Sequence, residues 1–416
     1  MLKLCLFDLD DTLLRTTELK DIREEGVEDT GPEYVQRLTA AVGNPVPRYL
    51  YSPDSLARIR TEFPKLKLGV FTRAPRAYVD TVLRLAFPKV DWDVVIAYED
   101  VRRTKPFRDG IWRAMDATGV QYINHVALVG DSDADVRSAY HAGVYAVLDQ
   151  RGWPQKRERD HWNAIGHMPD AEIKTDAELM EFLRNPLMFV PEMEWRLEQP
   201  GKERGRVRFD KVNKFIPDSA GGDKTAYPVV ACGRFFTKYR SLDSRRDWHE
   251  LTKSIKANKA SESFPDAWVR TVGFYIRTYL VPQLFASGHI ITVVPHRPER
   301  PPRLEHFLAQ LEGSFANDSA RNKLQFVPDL LGYKDGVKSQ SGEFLSHHDR
   351  FVNVRDHLEV RRPELLAKGR TVLVIDDVTT TGATLIYAKK YLADKGAGTV
   401  TCLALAMTVS DVLPKS

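Results

Sequence analysis

Cysteine is scarce: only Cys5, Cys232 and Cys402 occur in 416 residues, and no two lie close enough in sequence to form a metal-spaced pair. A disulfide scaffold has no basis here, and Cys5 and Cys402, set in apolar runs, read as buried thiols. Reducing cytoplasm is the compartment such usage fits. Long hydrophobic runs are missing too. No stretch approaches the ~20 apolar residues of a membrane span, so no membrane partner is expected. The run from Met1 to Phe7 passes straight into Asp8, Asp10 and Asp11, too short and too acidic for a secretory leader. Nor is there an excess of one charge: 61 Lys and Arg against 57 Asp and Glu leave a formal +4. That balance suits anionic small molecules and makes nucleic acid an unneeded partner.

What is present is an ordinary globular composition, 43% hydrophobic and 28% charged, at a length that predicts two or three domains. Residues 1–185 read as strands alternating with helices. Apolar strands fall at 4–7, 66–71, 94–97, 126–129 and 144–148, and Val136, Ala139, Tyr140 and Gly143 follow helical spacing. Such alternation predicts a parallel sheet with its site at the carboxyl ends of the strands. Those ends carry Asp8 and Asp10, then Thr72, a loop lysine at Lys105, and finally Asp131, Asp133 and Asp135. Carboxylates converging on one edge repel unless a cation sits among them, and Mg²⁺ prefers oxygen donors. Lysine and threonine nearby suit phosphoryl oxygens that gather charge during transfer.

A second acid-tipped strand lies near the other end, where Val372-Leu373-Val374-Ile375 is followed by Asp376-Asp377-Val378-Thr379-Thr380-Thr381-Gly382-Ala383-Thr384. Amides and hydroxyls at a strand-to-helix turn cradle phosphate, and paired carboxylates suit the diol of a ribose. Upstream, the strand 289–294 ends in a turn rich in arginine, from Pro295-His296-Arg297 to Arg303, which suits a pyrophosphate. Together these describe a site for 5-phosphoribosyl-1-pyrophosphate (PRPP). Between the two regions, 186–224 holds Pro/Gly/charge clusters and reads as a solvated linker, with Arg206–Phe209 a candidate short strand.

The four ordered motifs of residues 1–185 resemble the haloacid dehalogenase (HAD) superfamily of phosphatases. The resemblance implies that Asp8 is the nucleophile forming an aspartyl-phosphate, while Asp10 protonates the leaving group and activates water. It implies that Thr72 and Lys105 bind the phosphoryl oxygens. Asp8, the backbone carbonyl of Asp10, and Asp131 would hold Mg²⁺, with Asp135 supporting the metal's water shell or orienting Lys105. The piece from Glu18 to Pro53 stands where the family's substrate-selecting cap is inserted, and is short for a full cap.

Within a domain expected at 225–416, about residues 227–409 resemble the type I phosphoribosyltransferases, in the branch containing competence protein F. This implies that Asp376 and Asp377 meet the ribose hydroxyls and that Thr379, Thr380, Thr381, Gly382 and Thr384 cradle the 5′-phosphate. His296 and Arg297 fall in the family's pyrophosphate loop, and Gln340 to Arg350 in its flap. One departure is that Arg303-Leu304 stands where the family usually has Arg-Gly. A hood over the acceptor is expected between Tyr227 and Ser287. The whole chain is thus expected to be α/β, with two Rossmann-like parallel-sheet domains. The expected function is a bifunctional cytoplasmic enzyme of nucleotide or nucleoside metabolism, using Mg²⁺ in both domains and PRPP as co-substrate. It would join phosphomonoester hydrolysis to phosphoribosyl transfer onto a base-like acceptor, in a specialised biosynthetic, stress or defence pathway. The alternatives are an effector that depletes PRPP or nucleotides and a non-catalytic PRPP sensor. A homodimer is the expected assembly.

Overall fold

The computed structural model describes the chain apart from residues 44–47, 216–223, 284–287, 298–299, 339–345, 367–368 and 412–416. Two units emerge. The first comprises Met1–Val190, Phe236–Trp248 and the C-terminal end from Ser410; the second comprises Pro191–Phe235 and His249–Val409.

The first unit is built on six parallel strands: β1 (Leu4–Phe7), β2 (Lys67–Phe71), β3 (Val94–Ile96), β4 (Val126–Gly130), β5 (Tyr145–Asp149) and β6 (Ala171–Ile173), in the order β3-β2-β1-β4-β5-β6. Every residue of β1, β4 and β5 is buried, as central strands covered by helices on both faces require. The order reverses direction at β1, so the crevice between β1 and β4 is the switch point where such sheets place ligands. Both β1 and β4 end in aspartates there. Between β1 and β2 the described residues form three short helices, Lys20–Glu25, Pro32–Val42 and Pro53–Glu62, of which the second buries Tyr34 and Leu38. The segment 236–248 is held by Arg245, whose buried guanidinium pairs with Asp170 and lies 4.0 Å from the Trp248 ring centroid.

The second unit has a seven-stranded sheet. Its strands are β7 (Asp210–Phe215), β8 (Tyr227–Ala231), β9 (Arg234–Phe236), β10 (His289–Val293), β11 (Leu324–Phe326), β14 (Thr371–Thr379) and β15 (Val400–Val409). The path is β11-β10-β14-β15-β8-β7, with β9 beside β15. A separate antiparallel pair, β12 (Leu331–Tyr333) and β13 (Leu358–Val360), lies off this sheet. The β14 strand runs on through both aspartates to Thr379, four residues beyond the apolar core that marks it in sequence.

The stretch expected to be a solvated linker carries structure of the second unit. Helix Glu192–Glu198 buries Met193 and Trp195, and β7 pairs antiparallel with β8. Its charges mislead because Glu192 and Glu194 are themselves buried, neutralised by arginine partners. The candidate strand at Arg206–Phe209 begins instead at Asp210, where pairing with Ala231 starts.

Candidate active sites

In the first unit, Asp8 follows β1 directly and its Oδ1 accepts from the Leu9 amide at 2.8 Å. The Lys105 ammonium, its side chain 1% exposed, stands 2.7 Å from Asp8 Oδ1 and 2.6 Å from Asp135 Oδ1. Asp135 is fixed by its own helix. It accepts from the Ser132 amide and hydroxyl, closing a capping box at the start of Asp133–Ala142. A side chain at Gly130 would collide with it, since a Cβ there would stand 2.2 Å from the Asp135 carboxyl carbon. Lys105 is thereby oriented between the nucleophile candidate and a fixed acid.

Asp131 completes the group. The Thr12 hydroxyl donates to its Oδ1 at 3.2 Å and the Trp153 indole to its carbonyl at 2.8 Å. One carboxylate oxygen each from Asp8, Asp131 and Asp135 lie within 4.8 Å of one another. Burial, partly offset by Lys105, pushes Asp8 up to about 6, with Asp135 and Asp10 adding to the rise. Burial and the neighbouring carboxylates push Asp131 well above its usual range. Lys105 goes the other way: burial disfavours its charge, but Asp135 and Asp8 overcome that and hold it above the ordinary lysine value. A hard, all-carboxylate donor set in which burial already opposes ionisation of Asp8 and Asp131 fits Mg²⁺.

The Asp10 carboxylate is not in that group. Its Oδ1 receives the Thr16 hydroxyl at 2.7 Å, the Tyr78 hydroxyl at 2.9 Å and Arg23 Nη1 at 2.9 Å. The resemblance gives the metal role to the backbone of Asp10, and its side chain is engaged instead by Thr16, Tyr78 and Arg23. Thr72 is buried at the end of β2, its hydroxyl accepting from the Ala74 amide at 3.1 Å. Arg23, Tyr78 and Thr16 escaped the sequence reading because they belong to no motif; a polar helix just after the first acid motif was the one available signal.

In the second unit, Asp376 and Asp377 lie within β14, and each accepts from the amide that follows it, at 2.8 and 2.6 Å. Burial, then the adjacent Asp377, pushes Asp376 well above the usual carboxylate range. Thr379 is buried on β14. The Thr380 hydroxyl shares a hydrogen bond of 2.9 Å with Thr408, and the Thr381 hydroxyl accepts from Ala383 at 3.4 Å. Gly382 takes φ +72 at the head of helix Ala383–Asp394, and a Cβ there would meet the Phe215 ring at 2.7 Å. Glycine is required at this position twice over, by the left-handed backbone and by the close ring.

Arg297 reaches this region through Tyr333. The Tyr333 hydroxyl bonds both Thr384 and Arg297, whose guanidinium lies 5.6 Å from the Tyr333 ring centroid. His296 is drawn elsewhere, its Nδ1 2.8 Å from Glu305 Oε1, and its side chain is 44% exposed. Arg303, visible in sequence only as a departure from a loop pattern, instead pairs with Asp377 and donates to the Asn258 carbonyl at 3.2 Å. Tyr333 and Phe215 carry no motif signal. Gln340 and the expected flap through 345 lie outside the described residues, while Arg350 falls in helix His347–His357.

Comparison with known proteins follows the same division. Residues 52–148 match the family model described as haloacid dehalogenase-like hydrolase, and residues 322–416 the one described as phosphoribosyl transferase domain. Over 78 residues the chain is 44% identical to the ribose-phosphate pyrophosphokinase of Methanopyrus kandleri, a match covering 17% of this chain and 27% of that protein. The chain thus spans well under two thirds of the curated relative it matches. Among solved structures, CbbY from Rhodobacter sphaeroides in complex with phosphate is 19% identical over 43% of this chain and 96% of that one, with a TM-score of 0.34. A HAD-superfamily hydrolase from Geobacter sulfurreducens is 17% identical over 44% of this chain and 96% of its own, with a TM-score of 0.30. The competence protein F branch is not among these matches. No helix among the described residues is long and apolar enough to cross a membrane. The chain is therefore a fusion of a haloacid dehalogenase-like hydrolase domain with a phosphoribosyl transferase domain.

Proposed function

We propose that the chain is a bifunctional enzyme that hydrolyses a phosphomonoester in its first unit and transfers a phosphoribosyl group from PRPP in its second. The observation that carries the first activity is Lys105, buried between Asp8 and Asp135 at 2.7 and 2.6 Å. An Asp8 oxygen attacks phosphorus, the ester P–O bond breaks, and the leaving oxygen takes the Asp10 proton. Water then attacks the aspartyl-phosphate, passing its proton to Asp10, and phosphate departs. Lys105 and Thr72 hold the phosphoryl oxygens as their charge rises. Arg23, Tyr78 and Thr16 fix the Asp10 carboxylate in place. Mg²⁺, held by Asp8, Asp131 and the Asp10 backbone, would supply charge neutralisation at the phosphoryl group.

In the second unit, Asp376 and Asp377 would accept hydrogen bonds from the ribose hydroxyls, and the turn from Thr379 to Thr384 would hold the 5′-phosphate at a helix start. Arg297 is placed toward that turn by Tyr333 and would meet the pyrophosphate. The C1–O bond to pyrophosphate breaks as a nitrogen of a base-like acceptor bonds to C1, the nitrogen's proton passing to the departing pyrophosphate. Mg²⁺ bound with PRPP would neutralise the leaving group. Asp377 must exchange Arg303 for the ribose in this reading.

The test takes the purified chain with Mg²⁺ through a panel of phosphomonoesters, then with PRPP and a panel of bases. Asp8→Asn should abolish phosphate release and leave acceptor-dependent pyrophosphate release intact. Asp376→Ala combined with Asp377→Ala should do the reverse. Wild-type chain inactive on every phosphomonoester would refute the first half. Pyrophosphate release without an acceptor would refute transfer in favour of PRPP consumption, and PRPP binding with no release in favour of sensing.

A further inference from the structure

A cavity of about 340 Å³ opens in the second unit between helix Glu192–Glu198, the loop that follows it, and helix Asp266–Tyr275. A second cavity of about 240 Å³ shares Arg196 and Arg270 with it. The combined space is that of a small-ligand site. Its lining shares no residue with the cradle at 379–384, the acid pair, or the arginine turn.

Four arginines face the larger cavity against two glutamates. Glu192 is already engaged twice, by Arg196 and Arg204 at 2.8 Å each. Arg277 is paired with Asp318 at 2.6 Å. Arg270 is left with an exposed Asp266 at 3.7 Å, a separation at which a solvated pair gains little. Arg196 Nε is buried without a hydrogen-bond partner among the described residues. Donors therefore outnumber acceptors around an open space, the condition an incoming anion satisfies.

The walls also carry aromatic rings. Arg196 lies 5.3 Å from the centroid of the half-buried Phe274, and Arg204 lies 5.1 Å from that of Trp195. Each guanidinium lies over the face of its ring, and Phe209 stacks on Phe274 with ring centroids 6.4 Å apart, so a planar base would meet the edge of Phe274 while phosphate oxygens meet the guanidinium edges. We propose that this cavity binds a nucleotide, with Arg196 and Arg270 on its phosphate and its base against the edge of Phe274. Because the lining is separate from both catalytic sites, this reading stands or falls independently of the proposed activities.

The test uses the full chain carrying Asp8→Asn, so that no nucleotide is hydrolysed, in EDTA and without PRPP. Calorimetric titration with AMP should show saturable binding, and adenosine should bind at least about tenfold more weakly. Arg270→Glu, at an exposed position, should weaken AMP by at least about tenfold without moving the melting temperature. Phe274→Ala should weaken AMP and leave inorganic phosphate unchanged. Asp376→Asn with Asp377→Asn should leave AMP binding as it was. Absence of AMP binding at millimolar concentration would overturn the proposal. So would AMP binding that survives Arg270→Glu, or adenosine binding as tightly as AMP.

Discussion

Replacing Lys105 by methionine separates the charge at the first site from its packing. Methionine keeps an unbranched apolar stem of similar reach, and the pocket it enters is lined by Phe71, whose ring centroid is 5.0 Å from the ammonium. What disappears is one cation held 2.7 Å from Asp8 and 2.6 Å from Asp135, with only 1% of the side chain exposed. Breaking a buried pair by removing one partner costs about 3–5 kcal/mol, because the charge left behind is uncompensated. For a unit of this size that is a fall in melting temperature of roughly 6–20 °C. A divalent cation would offset part of the loss by taking up the freed carboxylates, so Mg²⁺ should raise the variant's melting temperature more than that of the wild type. Phosphomonoester hydrolysis should fall by about 10²-fold or more, as when a preorganised donor to the reacting group is removed. Scanning calorimetry with and without Mg²⁺, together with a phosphate-release assay, reads both effects. A variant that melts within a degree or two of wild type and hydrolyses within tenfold of it would refute the argument that Lys105 is the electrostatic centre of the site.

Other consequences follow from the same structure. Arg245→Ala strands Asp170 inside the first unit and should cost about 3–5 kcal/mol by denaturant titration, whereas Arg245→Met with Asp170→Leu should cost less. Burial alone would raise Glu194, but Arg234 and His249 override it and hold the carboxyl well below its ordinary value. A depressed carboxylate contributes stability that is complete above its unfolded value of about 4.5 and is lost as pH falls below it. Glu194→Gln should therefore flatten the acid limb of the stability curve below about pH 4.5, as followed by circular dichroism. Gly382→Ala puts a side chain at φ +72 against Phe215 and should cost at least about 1–2 kcal/mol while abolishing PRPP binding in a titration.

The sequence determined what is local. Strands such as β1, β4 and β14 announce themselves because a strand buried on both faces must be apolar throughout, and the acids that close them are covalently next in line. The turn at Gly382 is legible for the same reason, since its conformation depends on the residue that occupies it. Cys5, Cys232 and Cys402 are all buried free thiols, as the two in apolar runs led one to expect. Only the tertiary structure decided which distant side chains meet. Arg23 and Tyr78 on Asp10, Arg303 on Asp377, and Tyr333 between Thr384 and Arg297 join residues 13 to 74 positions apart through contacts that leave no periodicity or spacing behind. The stretch 191–215 shows the same limit in reverse. Its charges read as solvated, yet Glu192, Glu194 and Trp195 are buried, because each acid finds an arginine whose position no local pattern reveals. Burial of charge is a property of pairs, and pairing is settled by the fold.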